Sequence, residues 1–112
     1  MAFVFNPFTG NLDVVNSSED VFNISNQNAN FTAQENSTNI VDTTNTITIT
    51  LPTLIDKNTY VIVKDGESNA NTNNITVITS DSTTIDGQAI NIIDSDLESR
   101  TYIFDGSNWF VV

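Results

Sequence analysis

The side chains in this sequence able to bind a cation or move a proton are carboxylates. Fourteen Asp and Glu stand against three Lys and Arg, and His and Cys are absent. That excludes an imidazole base, a thiol nucleophile, a thiolate or imidazole zinc site and any disulfide. The densest acidic stretch is Asp94-Ser95-Asp96-Leu97-Glu98, with Asp81 and Asp86 nearby in sequence. A calcium loop of the EF-hand kind needs alternating Asp or Asn, a Gly at the sixth position and a Glu at the twelfth, and this stretch does not supply them. Glycoside hydrolysis needs two carboxylates across a cleft, and 112 residues leave little wall for one. No phosphate-binding loop, dinucleotide fingerprint or nucleophile elbow occurs. We therefore expect no catalytic residue, no bound metal and no cofactor. Arg100, the sole arginine, is expected to pair with Asp94, Asp96 or Glu98, of its own chain or of a neighbour.

Seven of the ten aromatic residues fall in two groups. Phe3, Phe5 and Phe8 crowd the start, in Phe3-Val4-Phe5-Asn6-Pro7-Phe8-Thr9-Gly10-Asn11-Leu12-Asp13, and exposed alone they would be adhesive. Such a segment is either tucked into its own core or inserted into a partner, and we favour the partner, with Phe3, Phe5, Pro7, Phe8 and Leu12 docking. The second group, Tyr102, Phe104, Trp109 and Phe110, ends the chain. Trp109 and Tyr102 could form a sugar-stacking platform, but in an alternating hairpin they fit better as core or interface anchors, together with Tyr60 and Ile62.

Positioning such residues falls to strands. Thr46-Ile47-Thr48-Ile49-Thr50-Leu51 alternates apolar and polar side chains and reads as a half-buried strand ended by Pro52. Tyr60-Val61-Ile62-Val63-Lys64 is apolar on both faces, which suits the middle of a sandwich or a subunit contact. Asn74 to Thr79 gives another strand, and Thr84 to Ile92 two short ones around Asp86-Gly87. Thr101 to Phe104 and Trp109 to Val112 flank Asp105-Gly106-Ser107-Asn108 as a hairpin, so losing Val111 and Val112 should harm folding. One turn of helix at most is expected at 54–57 and at 95–99. The spacing predicts an all-β fold, a small antiparallel β-sandwich or barrel of jelly-roll type, over residues 46–112. Residues 1–45 lack sustained periodicity and are expected to form an extended N-terminal arm.

A β module of that size buries too little to be secure alone, and without disulfides or a metal the common remedy is oligomerisation. We therefore expect a homo-oligomer, with a monomer completed by the arm as the alternative. A net charge of −11 opposes nucleic-acid binding, and Lys57, Lys64 and Arg100 are scattered. No apolar run is long enough for a membrane helix and no signal peptide is recognisable, so no membrane partner is expected and synthesis is placed in a cytoplasm. Asn and Thr, 17 and 16 residues, suit loops with unusual backbone angles and the outer faces of strands respectively.

Tyr60-Val61-Ile62-Val63-Lys64-Asp65, Asn74-Ile75-Thr76-Val77, Thr84-Ile85-Asp86-Gly87 and Phe104-Asp105-Gly106-Ser107-Asn108-Trp109, taken in order, resemble a recurring β module of tailed-bacteriophage virion proteins. The stretch Pro7-Phe8-Thr9-Gly10-Asn11-Leu12-Asp13 is similar to the start of phage structural proteins that attach to another virion component. The resemblance covers about half of the chain and implies a homotrimer. It implies use as a capsid decoration (cement) protein clamping adjacent copies of the major capsid protein on the virion surface, in a phage assembled in the host cytoplasm. The alternative it implies is a tail fibre, tailspike or head-fibre component that recognises host-surface glycan. Lack of a long shaft repeat favours the decoration protein.

Overall fold

A computed structural model of the chain describes residues 24–112, and over these the protein is all-β, without helix. Nine strands form: β1 (Ile24–Gln27), β2 (Phe31–Thr32), β3 (Ser37–Val41), β4 (Ile47–Thr50), β5 (Tyr60–Asp65), β6 (Ile75–Ile78), β7 (Ile90–Ile93), β8 (Ser99–Phe104) and β9 (Trp109–Val111). They make two mixed sheets, one ordered β1-β3-β5-β8-β9 and the other β2-β4-β6-β7.

From β1 to β6 successive strands alternate between the sheets, so that each strand lies parallel to the one two places earlier. The chain thus winds as a β-solenoid does. Only the last strands pair antiparallel: β7 on β6, β8 on β5, and β9 on β8. This corrects the antiparallel expectation. Side chains alternate across a strand whichever way its neighbour runs, so a period of two reports strands and not their pairing direction.

The expected division at residue 45 is also displaced, because β1, β2 and β3 all belong to the sheets. The inward positions of β3 explain why its pattern is hard to read. Ser37, Asn39 and Val41 face the interior, and two of the three are polar. Burial of Asn39 is tolerated because its Nδ2 donates to Ser37 Oγ (3.0 Å) and to the Ile62 carbonyl (3.1 Å).

Inward-facing residues of both sheets share one core. Val61, Val63, Tyr102, Phe104 and Trp109 come from the larger sheet, and Ile47, Ile49, Ile75, Val77 and Ile93 from the smaller. Trp109 packs against Phe104 with ring centroids 5.4 Å apart and planes tilted by 51°, a favourable aromatic geometry. Turn chemistry follows residue type: Asn36 and Asn58 take positive φ, and Asp86 (50°) with Gly87 (81°) forms a tight turn bridged by Ile85 and Gln88. The segments expected to make a helical turn, 54–57 and 95–99, remain non-helical.

At the C-terminus, Val111 packs on the core, whereas Val112 is 73% exposed and donates its N–H to the Thr101 carbonyl at 2.9 Å. Deleting Val112 alone should cost about 1 kcal/mol, one hydrogen bond. Deleting both residues should cost about 2–3 kcal/mol, readable as a lower urea midpoint, because it also removes a packed side chain.

Candidate functional site

No three Asp or Glu side chains of the described residues converge in a group fit to hold a metal ion. The acids make local structure instead. Asp42 and Asp81 each accept hydrogen bonds from the N–H and hydroxyl of the threonine two residues on, Thr44 and Thr83. Those bonds hold both carboxyls below the usual range. Asp105 closes the β8–β9 loop by accepting the N–H groups of Asn108 and Ser107, with the same effect on its pKa. Asp96 accepts the Asn71 N–H at 2.9 Å. Arg100 pairs with Glu98, one of its three expected partners (2.7 Å), and donates to Asn91 Oδ1 (2.8 Å). The Tyr102 hydroxyl donates to the same oxygen (2.8 Å), and burial pushes its pKa well above the ordinary value.

One carboxylate has a larger part. Asp65 ends β5 at an inward position and is wholly buried. Its Oδ1 accepts the Thr43 hydroxyl (2.6 Å) and the Glu67 N–H (3.0 Å), and its Oδ2 accepts the N–H groups of Ala70 (3.0 Å) and Leu97 (2.9 Å). These donors come from the β3–β4, β5–β6 and β7–β8 connections, so one side chain ties three loops at one end of the stack. Burial pushes the carboxyl up, but the hydrogen bonds from Thr43, Leu97, Glu67 and Ala70 outweigh it and hold the pKa at about 2. Residue type alone does not single Asp65 out, although a signal exists: inward alternation through Val61 and Val63 reaches Asp65 next.

Because the folded pKa lies below the unfolded one, Asp65 adds stability above about pH 4 and loses it as pH falls toward 2. The shift from 3.8 corresponds to about 2 kcal/mol. Denaturation midpoints between pH 5 and pH 2 should therefore fall more steeply for the unaltered protein than for Asp65→Asn, which does not titrate there.

The surface best formed for an interaction is the outward face of the larger sheet. Register places Tyr60 beside Ile103 and Ile103 beside Phe110 across β5, β8 and β9. Ile62 and Thr101 form the next row, with Thr38 of β3 continuing it. Phe110 is 42% exposed and the other members of these rows are half-buried. None of the strand positions on this face carries an acid, in a chain with fourteen. The charge there is Lys64, which donates to the Leu97 carbonyl. Depletion of charge with retained aromatic surface marks the middle of protein contacts.

The structure divides the expected anchor residues. Tyr102, Phe104 and Trp109 are core, at 0%, 8% and 1% exposure, so neither Tyr102 nor Trp109 offers a plane on which a sugar could stack. Tyr60, Ile62 and Phe110 lie on the outward face, and Ile103, which the sequence reading did not single out, joins them. Phe3, Phe5, Pro7, Phe8 and Leu12 lie outside the described residues, as does the start of the expected arm. No protein-family model and no curated protein matches the chain.

Proposed function

We propose that this chain is a structural protein of a bacteriophage virion, a homotrimeric capsid decoration protein that clamps neighbouring major capsid protein subunits and stabilises the head. The observation that carries the reading is the outward face of the larger sheet, whose strand positions carry no acid and where Ile103 lies beside Phe110, which suits contact between sister copies. The sequence resemblance supplies the virion and the number three. Chemistry is not the means of action in this reading: Asp65, Asp42, Asp81 and Asp105 are engaged in hydrogen bonds that shape loops. A negative charge of 11 per chain keeps free trimers apart in solution. The uncharged opening segment, with Phe3, Phe5, Pro7, Phe8 and Leu12, docks onto the capsid through burial of aromatic surface. Each buried Phe contributes on the order of 1.5–3 kcal/mol before ordering costs.

The test is truncation. Protein lacking residues 1–13 should remain an assembled, folded particle and fail to decorate heads in a co-sedimentation assay. Full decoration by the truncated protein would remove the docking segment from the account, and binding of the intact protein to a glycan array but not to heads would favour the fibre alternative.

A further inference from the structure

The sheets end in strand edges, and these edges are treated unequally. On the larger sheet, β9 is covered: Trp109 donates its N–H to the Thr84 carbonyl (2.8 Å), its carbonyl accepts the Asp86 N–H (3.0 Å), and Asp86 Oδ1 accepts the Val111 N–H (3.1 Å). A short segment, 84–86, thus closes that edge with a charged side chain, a usual protection against edge pairing. The corresponding edge of the smaller sheet is β7, Ile90-Asn91-Ile92-Ile93, and none of the described residues pairs with its free side. It contains no proline, lysine or other charge. Ile90 and Ile92 are 51% and 45% exposed on the outward face.

The direction of the free backbone groups follows from the ladder. Leu51 donates its N–H to the Ile78 carbonyl, so Ile78 points its main-chain groups toward β4. One residue on, Val77 points the other way, toward its register partner Asn91, and Ile75 likewise toward Ile93. The N–H and C=O groups of Ile90 and Ile92 therefore face the unpaired side. They are symmetric about Asn91. An antiparallel second β7 setting Ile90 opposite Ile92 and Ile92 opposite Ile90 would satisfy all of them reciprocally, which is what a two-fold contact requires. The four isoleucines would then cluster on one face, with Asp94 set opposite Gln88, so that the first acid after the strand does not meet its own equivalent even though each chain carries −11.

We propose that β7 is an interface between two copies of this chain, joined edge to edge into one continuous eight-stranded sheet. It uses a different surface from the outward face of the larger sheet and stands or falls independently of the virion reading.

Two measurements test it. Ile92→Pro removes the outward N–H at a position where the strand donates nothing to β6, so an edge proline is compatible with the fold. It should halve the particle mass found by sedimentation, whereas Ile92→Thr, which keeps the N–H, should pair as the parent does or weaken only modestly. In the unaltered chain, amide exchange at Ile90 and Ile92 should slow by roughly tenfold or more as concentration rises through the association range. An unchanged mass for a folded Ile92→Pro variant would overturn the proposal. So would Ile90 and Ile92 amides whose exchange does not respond to concentration, and this second readout holds even if the proline variant does not fold. Disrupting the larger sheet's outward face should leave β7 protection intact, which separates the two contacts.

Discussion

Asp65→Ala is expected to destabilise the protein by about 3–5 kcal/mol, a large share of the total stability of a small domain, which is on the order of 5–15 kcal/mol. The reason is geometric. The carboxylate accepts four hydrogen bonds at 2.6–3.0 Å, and three come from main-chain N–H groups of Glu67, Ala70 and Leu97 that have no acceptor once it is gone. Ala70 is buried, and an orphaned buried donor costs more than an ordinary lost hydrogen bond contributes. Leu97 and Ser68 hold positive φ, 61° in both, in two of the loops that Asp65 ties, a conformation that costs non-glycine residues energy unless contacts hold it. Asp65→Asn should be intermediate, since its amide replaces one acceptor by a donor facing N–H groups. Urea denaturation measures this directly, and an alanine variant within 1 kcal/mol of the parent would mean that water replaces the carboxylate easily.

The second large effect concerns assembly on the proposed function. Glutamates at Ile103 and Phe110 together should dissociate the sister-copy contact, because they place acids on a face that has none and oppose them to their equivalents in a chain already at −11. Both side chains point away from the core formed by Tyr102, Phe104 and Trp109, so the change is aimed at association and leaves the interior packing in place. Size-exclusion chromatography with light scattering should show loss of the parent particle. A double variant that elutes and scatters as the parent would place the contact elsewhere.

How far the sequence discloses this molecule depends on what each strand buries. Where one face meets an apolar core, as at Ile47, Ile49 and Leu51 or at Ile75 and Val77, alternation marks the strand within about a residue. The β8–β9 hairpin is legible because Asp105 and Gly106 announce its loop. β1 and β3 escape notice for the opposite reason: Ser25, Gln27, Ser37 and Asn39 occupy the inward positions, so no apolar periodicity survives. Strand direction is invisible to alternation, which is why parallel winding replaces the expected antiparallel order. On the outward face proposed for contact, Tyr60, Ile62 and Phe110 are residues that the sequence singles out as core or interface anchors. For Trp109 and Tyr102 the sequence leaves core and interface open as anchor positions, and the register sets both inward.

That a copy of this chain reaches its stable form by joining others is the claim on which the functional reading rests, and sedimentation equilibrium of the 112-residue chain in the micromolar range tests it most directly. The expected result is a particle whose mass is a multiple of three 12.3 kDa chains. A single species of one chain mass that also melts cooperatively would contradict it.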